Sequence, residues 1–141
     1  PEKVYSELDY SVLLCYEPSS EFCHRHIVAA WFEILLGVNV PELKADGYQV
    51  ETSERPEYIK EYLEDAMRLN RKMRGFTSLR ALYLFEKGED LENKANELEE
   101  KTGKCYDHYR QEACFLRCEA DMAEDDYKAQ QRQKVFNKTK Q

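Results

Sequence analysis

Apolar residues recur at helical spacing along almost the whole chain. Val4, Leu8, Val12 and then Cys15 or Tyr16 form one stripe, which predicts a first amphipathic helix over residues 2–16, ended by Pro18. Ser19 or Ser20 can cap a second helix running to Gly37. In it Phe22, Ile27, Val28, Ala29, Ala30, Trp31, Phe32, Ile34, Leu35 and Leu36 cover almost the whole circumference, the pattern of a helix in the middle of a bundle. Residues 38–54 hold Pro41 and Gly47 with little periodicity and read as a long loop with one helical turn at most. Ser53, Glu54 and Pro56 signal the next helix, with Tyr58, Ile59, Tyr62, Leu63, Ala66, Met67 and Leu69 as its apolar face and Gly75 as its stop. Thr77 reads as the cap of a shorter helix through Glu86, broken at Gly88. A polar helix follows from about Asp90 to Lys101, interrupted at Gly103. The last helix starts near Cys105, carries Tyr109, Ala113, Leu116, Ala123 and Tyr127 along one side, and passes Val135; its basic end, residues 130–141, is expected to fray. The expectation is an all-α fold: a single disulfide-bridged bundle of five or six helices over residues 1–141, with the apolar second helix at its centre.

Composition agrees with helix, since there are only 5 Gly and 4 Pro. At 141 residues the chain can bury a core of its own. A net charge of −7 disfavours nucleic acid and anionic membranes as partners. Membrane insertion is not expected either: the longest apolar segment, Ile27 to Leu36, is interrupted by Glu33 and falls short of the roughly 18 residues a span needs. The start at Pro1 without an apolar leader reads as a mature secreted chain or a trimmed one.

The five cysteines sharpen the compartment. Cys15 and Cys23 flank one short turn; Cys105, Cys114 and Cys118 stand near the other end, and no zinc-type Cys-x-x-Cys pair is present. Cys114 and Cys118, four residues apart, share a helix face. The economical arrangement joins Cys15 and Cys23 to Cys114 and Cys118 in either order, each bridge contributing on the order of 4 kcal/mol through a long loop. A direct Cys15–Cys23 staple stays open. Cys105 is then the odd cysteine, a candidate for a disulfide-linked or non-covalent dimer. Asn137-Lys138-Thr139 is an N-glycosylation acceptor pattern. Cysteine usage and sequon point to secretion.

Candidate chemistry is sparse. Cys23-His24-Arg25-His26 invites a metal reading, but Cys23 is wanted for a bridge, so both histidines read as ordinary helix residues and no metal is expected. Cys105 with His108 or His24 matches no nucleophile signature. No phosphate loop, nucleotide fingerprint or distinct acid–base pair appears, so neither catalysis nor a cofactor is expected. Most of the ten tyrosines fall on apolar faces; Tyr5, Tyr16, Tyr58, Tyr62, Tyr83 and Tyr109 are expected half-buried. Two sets of residues remain as partner contacts: Asn39, Glu42, Lys44 and Tyr48 of the 38–54 loop, and the acidic Asp121, Glu124 and Asp125 of the last helix.

The spacing Cys105-x8-Cys114 resembles that near the end of insect odorant-binding proteins and their salivary relatives, which would imply a carrier of a small apolar ligand. Against that family's pattern, Cys114-x3-Cys118 stands late in the chain instead of in an early helix. In size, acidity, helix content and few cysteines the whole chain resembles the small anopheline mosquito salivary proteins of the albicin and anophensin type. That resemblance implies a secreted, non-catalytic inhibitor of a host plasma protein complex in blood feeding. The alternative-pathway complement C3 convertase is the first target it suggests and the contact (kallikrein–kinin) system the second. A structural or interaction domain of a larger secreted protein is the remaining class.

Overall fold

In a computed structural model, which describes residues 1–18, 21–46, 49–53 and 55–139, the chain is mostly helical and carries a Cys15–Cys23 disulfide. Its helices group into two compact units, Pro1–Lys72 and Met73–Gln141, where the sequence suggests a single bundle. Ser19, Ser20 and Gly47 lie outside the described residues.

In the first unit, α1 spans only Glu2–Glu7, far less than the expected 2–16 helix. Leu8 still donates to Val4 O at 3.1 Å, but Tyr10 takes a left-handed φ of 59° and ends the spiral. Beyond it Val12, Leu13 and Leu14 form an unbroken apolar run rather than a helical stripe. Helix α2 (His24–Leu36) starts later than the expected serine cap, with Cys23 at its N-cap, and stops as expected at Gly37, whose φ of 66° and N–H bond to Glu33 O make a left-handed cap. It buries His26, Ala29, Ala30, Phe32, Ile34 and Leu35; Tyr5 of α1 packs edge-on against Phe32.

The expected 38–54 loop is instead largely a β-hairpin. Strand β1 (Glu42–Asp46) pairs antiparallel with β2 (Gln49–Ser53), Glu42 opposite Ser53 and Leu43 opposite Thr52. Helix α3 (Glu57–Asn70) follows Pro56 and packs on α2. Its buried stripe is narrower than the sequence suggests: Ile59 is buried, Leu63, Ala66 and Met67 are half-buried, and Tyr58, Tyr62 and Leu69 stay exposed.

The second unit is an antiparallel pair of long helices, α4 (Leu79–Thr102) and α5 (Asp107–Lys138). Ser78, not Thr77, caps α4, its Oγ accepting from Ala81 N at 3.2 Å. Gly88 does not break this helix. It is buried, and a Cβ there would meet Ala113 O at 3.1 Å, so glycine lets the two backbones approach. Leu84, Leu116 and Ala120 form the core between the helices, with Phe85, Leu91 and Ala123 packed on them. Gly103 (φ 67°) caps the far end of α4. The basic stretch expected to fray is helical through Lys138.

Gly88 gives a direct test of this packing. Gly88→Val is expected to cost about 1–3 kcal/mol by overpacking against Ala113. Gly88→Ala should stay within about 1 kcal/mol of the parent, its helix-propensity gain opposing the pressure on the Ala113 carbonyl. Urea unfolding midpoints check both.

Candidate partner-binding surface

The chain between α1 and α2 holds the three most exposed large apolar side chains of the described residues, Tyr16, Tyr10 and Leu14, with Val12 among them. Tyr10, Val12, Leu14 and Tyr16 are 101, 62, 89 and 104 % exposed. Large apolar side chains left in water are candidates for interaction sites in folded proteins.

The segment is fastened at its C-terminal end. Cys15 is bridged to Cys23, which is buried at the N-cap of α2. In the first turn of α2, Arg25 donates from Nη1 to Glu17 O at 3.2 Å, and from Nε and Nη2 to Glu42 Oε1 at 2.9 and 2.8 Å. One guanidinium thus ties the segment, α2 and β1 together. Burial pushes the Glu42 carboxyl up, but the bonds and charge of Arg25 outweigh it and hold the group below its ordinary value. His26 is fully buried beside the same carboxylate, with Nε2 3.4 Å from Glu42 Oε1. Neither ring nitrogen makes a hydrogen bond among the described residues.

A second carboxylate fastens the base of the hairpin. Glu33 of α2 accepts from Val40 N at 3.2 Å and pairs with Arg55 and with Lys60, the latter at 3.3 Å. Arg55 also donates to Val40 O at 3.0 Å. Burial raises the Glu33 carboxyl; Arg55, the Val40 amide and Lys60 together bring it below its ordinary value. Both ends of the hairpin are therefore anchored on α2, and the apolar segment shares that anchor through Arg25.

The contact residues expected from the sequence separate into different roles. Glu42 and Glu124 are buried and engaged within the fold. Asn39 and Lys44 are exposed in the first unit, Asp121 and Asp125 in the second. Tyr48 lies outside the described residues. Tyr16, Tyr58 and Tyr62 are exposed rather than half-buried, so they join the surface instead of the core. Helical periodicity hides the exposure of this segment, because Val12 and Tyr16 fit a stripe begun at Val4.

The disulfide is the direct staple rather than the pair of long-range bridges. Cys114 and Cys118 are free and exposed, as is Cys105. Cys15, Glu17 and Cys23 bring potential metal-ligand atoms within 4.8 Å of one another, but the two sulfurs are spent on the bridge. The Cys105 thiol donates to Asp107 Oδ1 at 2.9 Å, and this bond pushes its pKa up, away from the thiolate a nucleophile needs. His108 instead packs on Tyr109, ring centres 4.1 Å apart. Asn137 sits in the last turn of α5, where Gln133 Nε2 donates to its Oδ1 at 3.3 Å; Thr139 Oγ1 donates to Phe136 O at 2.8 Å. No described helix is long and apolar enough to cross a membrane.

Comparison with protein-family models, curated proteins and solved structures returns no match. The surface itself is therefore the ground for a functional reading.

Proposed function

We propose that this chain is a secreted, non-catalytic inhibitor that binds a host plasma protein complex through the Tyr10–Tyr16 segment. The observation that carries the reading is the water-exposed row Tyr10, Val12, Leu14 and Tyr16, held by the Cys15–Cys23 bridge and by Arg25. A partner burying such side chains gains about 1.5–3 kcal/mol for each large one. The tether lowers the ordering cost that a free loop would carry on binding. A disulfide at the root of the site suits an oxidising compartment such as plasma. The likeness in size, acidity and cysteine content to anopheline salivary inhibitors makes the alternative-pathway C3 convertase the first target to try.

The test is lysis of rabbit erythrocytes by human serum in magnesium–EGTA buffer, which isolates the alternative pathway. Dose-dependent protection by the purified chain is the expected result. Unchanged lysis at a large excess over convertase components would remove the complement target and turn attention to activation of the contact system, measured as kallikrein generation on kaolin.

A further inference from the structure

α5 is longer than the helix it packs on. Glu124 reaches Thr77 and Ser78 at the N-terminal end of α4, so residues 125–138 continue past that end. The buried side of α5 is set by Ala113, Leu116, Ala120 and Glu124. Away from it, Phe115, Met122 and Ala129 follow at seven-residue spacing. Phe115 and Met122 are 70 and 67 % exposed, and Ala129 is exposed too. Three residues after each stand Cys118, Asp125 and Arg132, all exposed. These six residues occupy the a and d positions of a heptad, the seam along which helices pair.

The charge pattern identifies what fits this seam. From Glu119 to Asp126 the exposed charges of α5 are acidic (Glu119, Asp121, Asp125, Asp126); from Lys128 onward they are basic (Lys128, Arg132, Lys134, Lys138). Such a helix is complementary to itself run in reverse. Laid parallel, two copies would set Asp125 on Asp125 and Arg132 on Arg132. Laid antiparallel about a twofold axis between residues 123 and 124, a positions face d positions. Cys118 then faces Ala129 of the second copy, Met122 faces Asp125, and Arg132 lies over the Phe115 ring as a cation on an aromatic face. Asp121 comes beside Lys128 at the flanks, and Arg132 also neighbours Glu119, relieving its closeness to Asp126.

We propose that the outer face of α5 is a self-association surface that pairs two copies of this chain antiparallel. The contact runs about 27 Å at 1.5 Å per residue, which makes a small interface and a weak, concentration-dependent dimer.

The test uses the chain with Cys105→Ser and Cys114→Ser, leaving Cys118 as the thiol on the seam. Sedimentation equilibrium from on the order of 1 to 500 µM, the range of weak interfaces, should show the mass rising from 16.8 kDa toward twice that. Met122→Lys, a change at an exposed position, should abolish the rise while the far-ultraviolet circular dichroism stays that of the parent. Adding Ala129→Cys and oxidised glutathione should give a covalent dimer bridged from Cys118 to position 129 of the second copy. Each bridge forms as two thiols lose two protons and two electrons, reducing one glutathione disulfide to two thiols. The parent with Cys118 alone should stay uncrosslinked. A mass fixed at one chain throughout, equal association by Met122→Lys, or Cys118–Cys118 bridging in the parent would each overturn the proposal.

Discussion

Glu124→Ala is expected to destabilise the second unit by about 3 kcal/mol, because it removes the charged acceptor that the Thr77 amide and the buried Ser78 amide share. The Glu124 carboxylate takes the Thr77 N–H at 2.9 and 3.0 Å on its two oxygens and the Ser78 N–H at 2.8 Å. The Thr77 hydroxyl also donates to it, and Lys128 lies 3.3 Å away. Thr77 and Ser78 are the residues that lead into α4, so one side chain from α5 fixes where α4 begins. Glu124→Gln keeps the shape and one carbonyl acceptor but brings an amide against the same donors, and it should lose roughly half as much by the usual worth of a charged over a neutral acceptor.

The pH dependence follows with a definite sign. Burial pushes the Glu124 carboxyl up, but the Thr77 hydroxyl, the two amides and Lys128 outweigh it and set it below the ordinary glutamate value. A group with a depressed folded pKa contributes stability that is fully present above its unfolded value and disappears as pH falls through its folded value. Glu99 acts in the same direction, held to about 2 by Arg110 and by the Tyr106 N–H at 3.0 Å. The parent chain should therefore lose stability progressively from roughly pH 4.5 downward, where carboxylates begin to protonate. Glu124→Ala should show a shallower fall over that window. Urea midpoints at pH 7, 4 and 2.5 measure it, and equal slopes for parent and variant would show that Glu124 is not the group titrating.

Helices with a steady apolar stripe were legible from the sequence; the junctions between different periodicities were not. α2 and α3 appear near their expected places because each carries apolar residues at helical spacing and a stop, Gly37 or the stretch before Gly75. The N-terminal helix was overextended because Val12 and Tyr16 continue the Val4–Leu8 stripe, while the left-handed turn at Tyr10 that ends it leaves no mark in the periodicity. The hairpin had a readable sign in Asp46-Gly47 between two stretches of alternating residues, Leu43 and Ala45 before it, Val50 and Thr52 after. A loop reading missed it because five-residue strands give periodicity little room. Gly88 misled for another reason. Glycine in a helix pattern signals a break, and only the partner helix reveals that its missing Cβ makes room for Ala113. Buried carboxylates are the least legible feature of all. Glu33, Glu42 and Glu124 look like any of the 28 acidic residues until a donor from a distant part of the same unit is placed beside them.

The largest functional effect is expected at the apolar segment. Leu14→Asp places a charge in what a partner would bury and removes a side chain worth about 1.5–3 kcal/mol on burial. At 1.4 kcal/mol per tenfold in affinity, inhibition should weaken at least tenfold, and adding Tyr16→Ser should take the loss beyond a hundredfold. Neither substitution should lower the unfolding midpoint, since Leu14 and Tyr16 are 89 and 104 % exposed and no core depends on them. Cys15→Ser with Cys23→Ser separates tether from contact. Losing this short loop closure should cost about 2–3 kcal/mol of stability, and freeing the segment should weaken inhibition while leaving its apolar side chains present. Tyr62→Ser on α3 alters another exposed tyrosine of the same unit and should leave inhibition unchanged. The ordering of the four proteins is the informative readout: parent and Tyr62→Ser strongest, the double serine variant intermediate, Leu14→Asp/Tyr16→Ser weakest. If Leu14→Asp/Tyr16→Ser inhibits as the parent does, the binding surface lies elsewhere. If Tyr62→Ser alone is weak, that surface is the outer row of α3, where Tyr58 and Leu69 are also exposed.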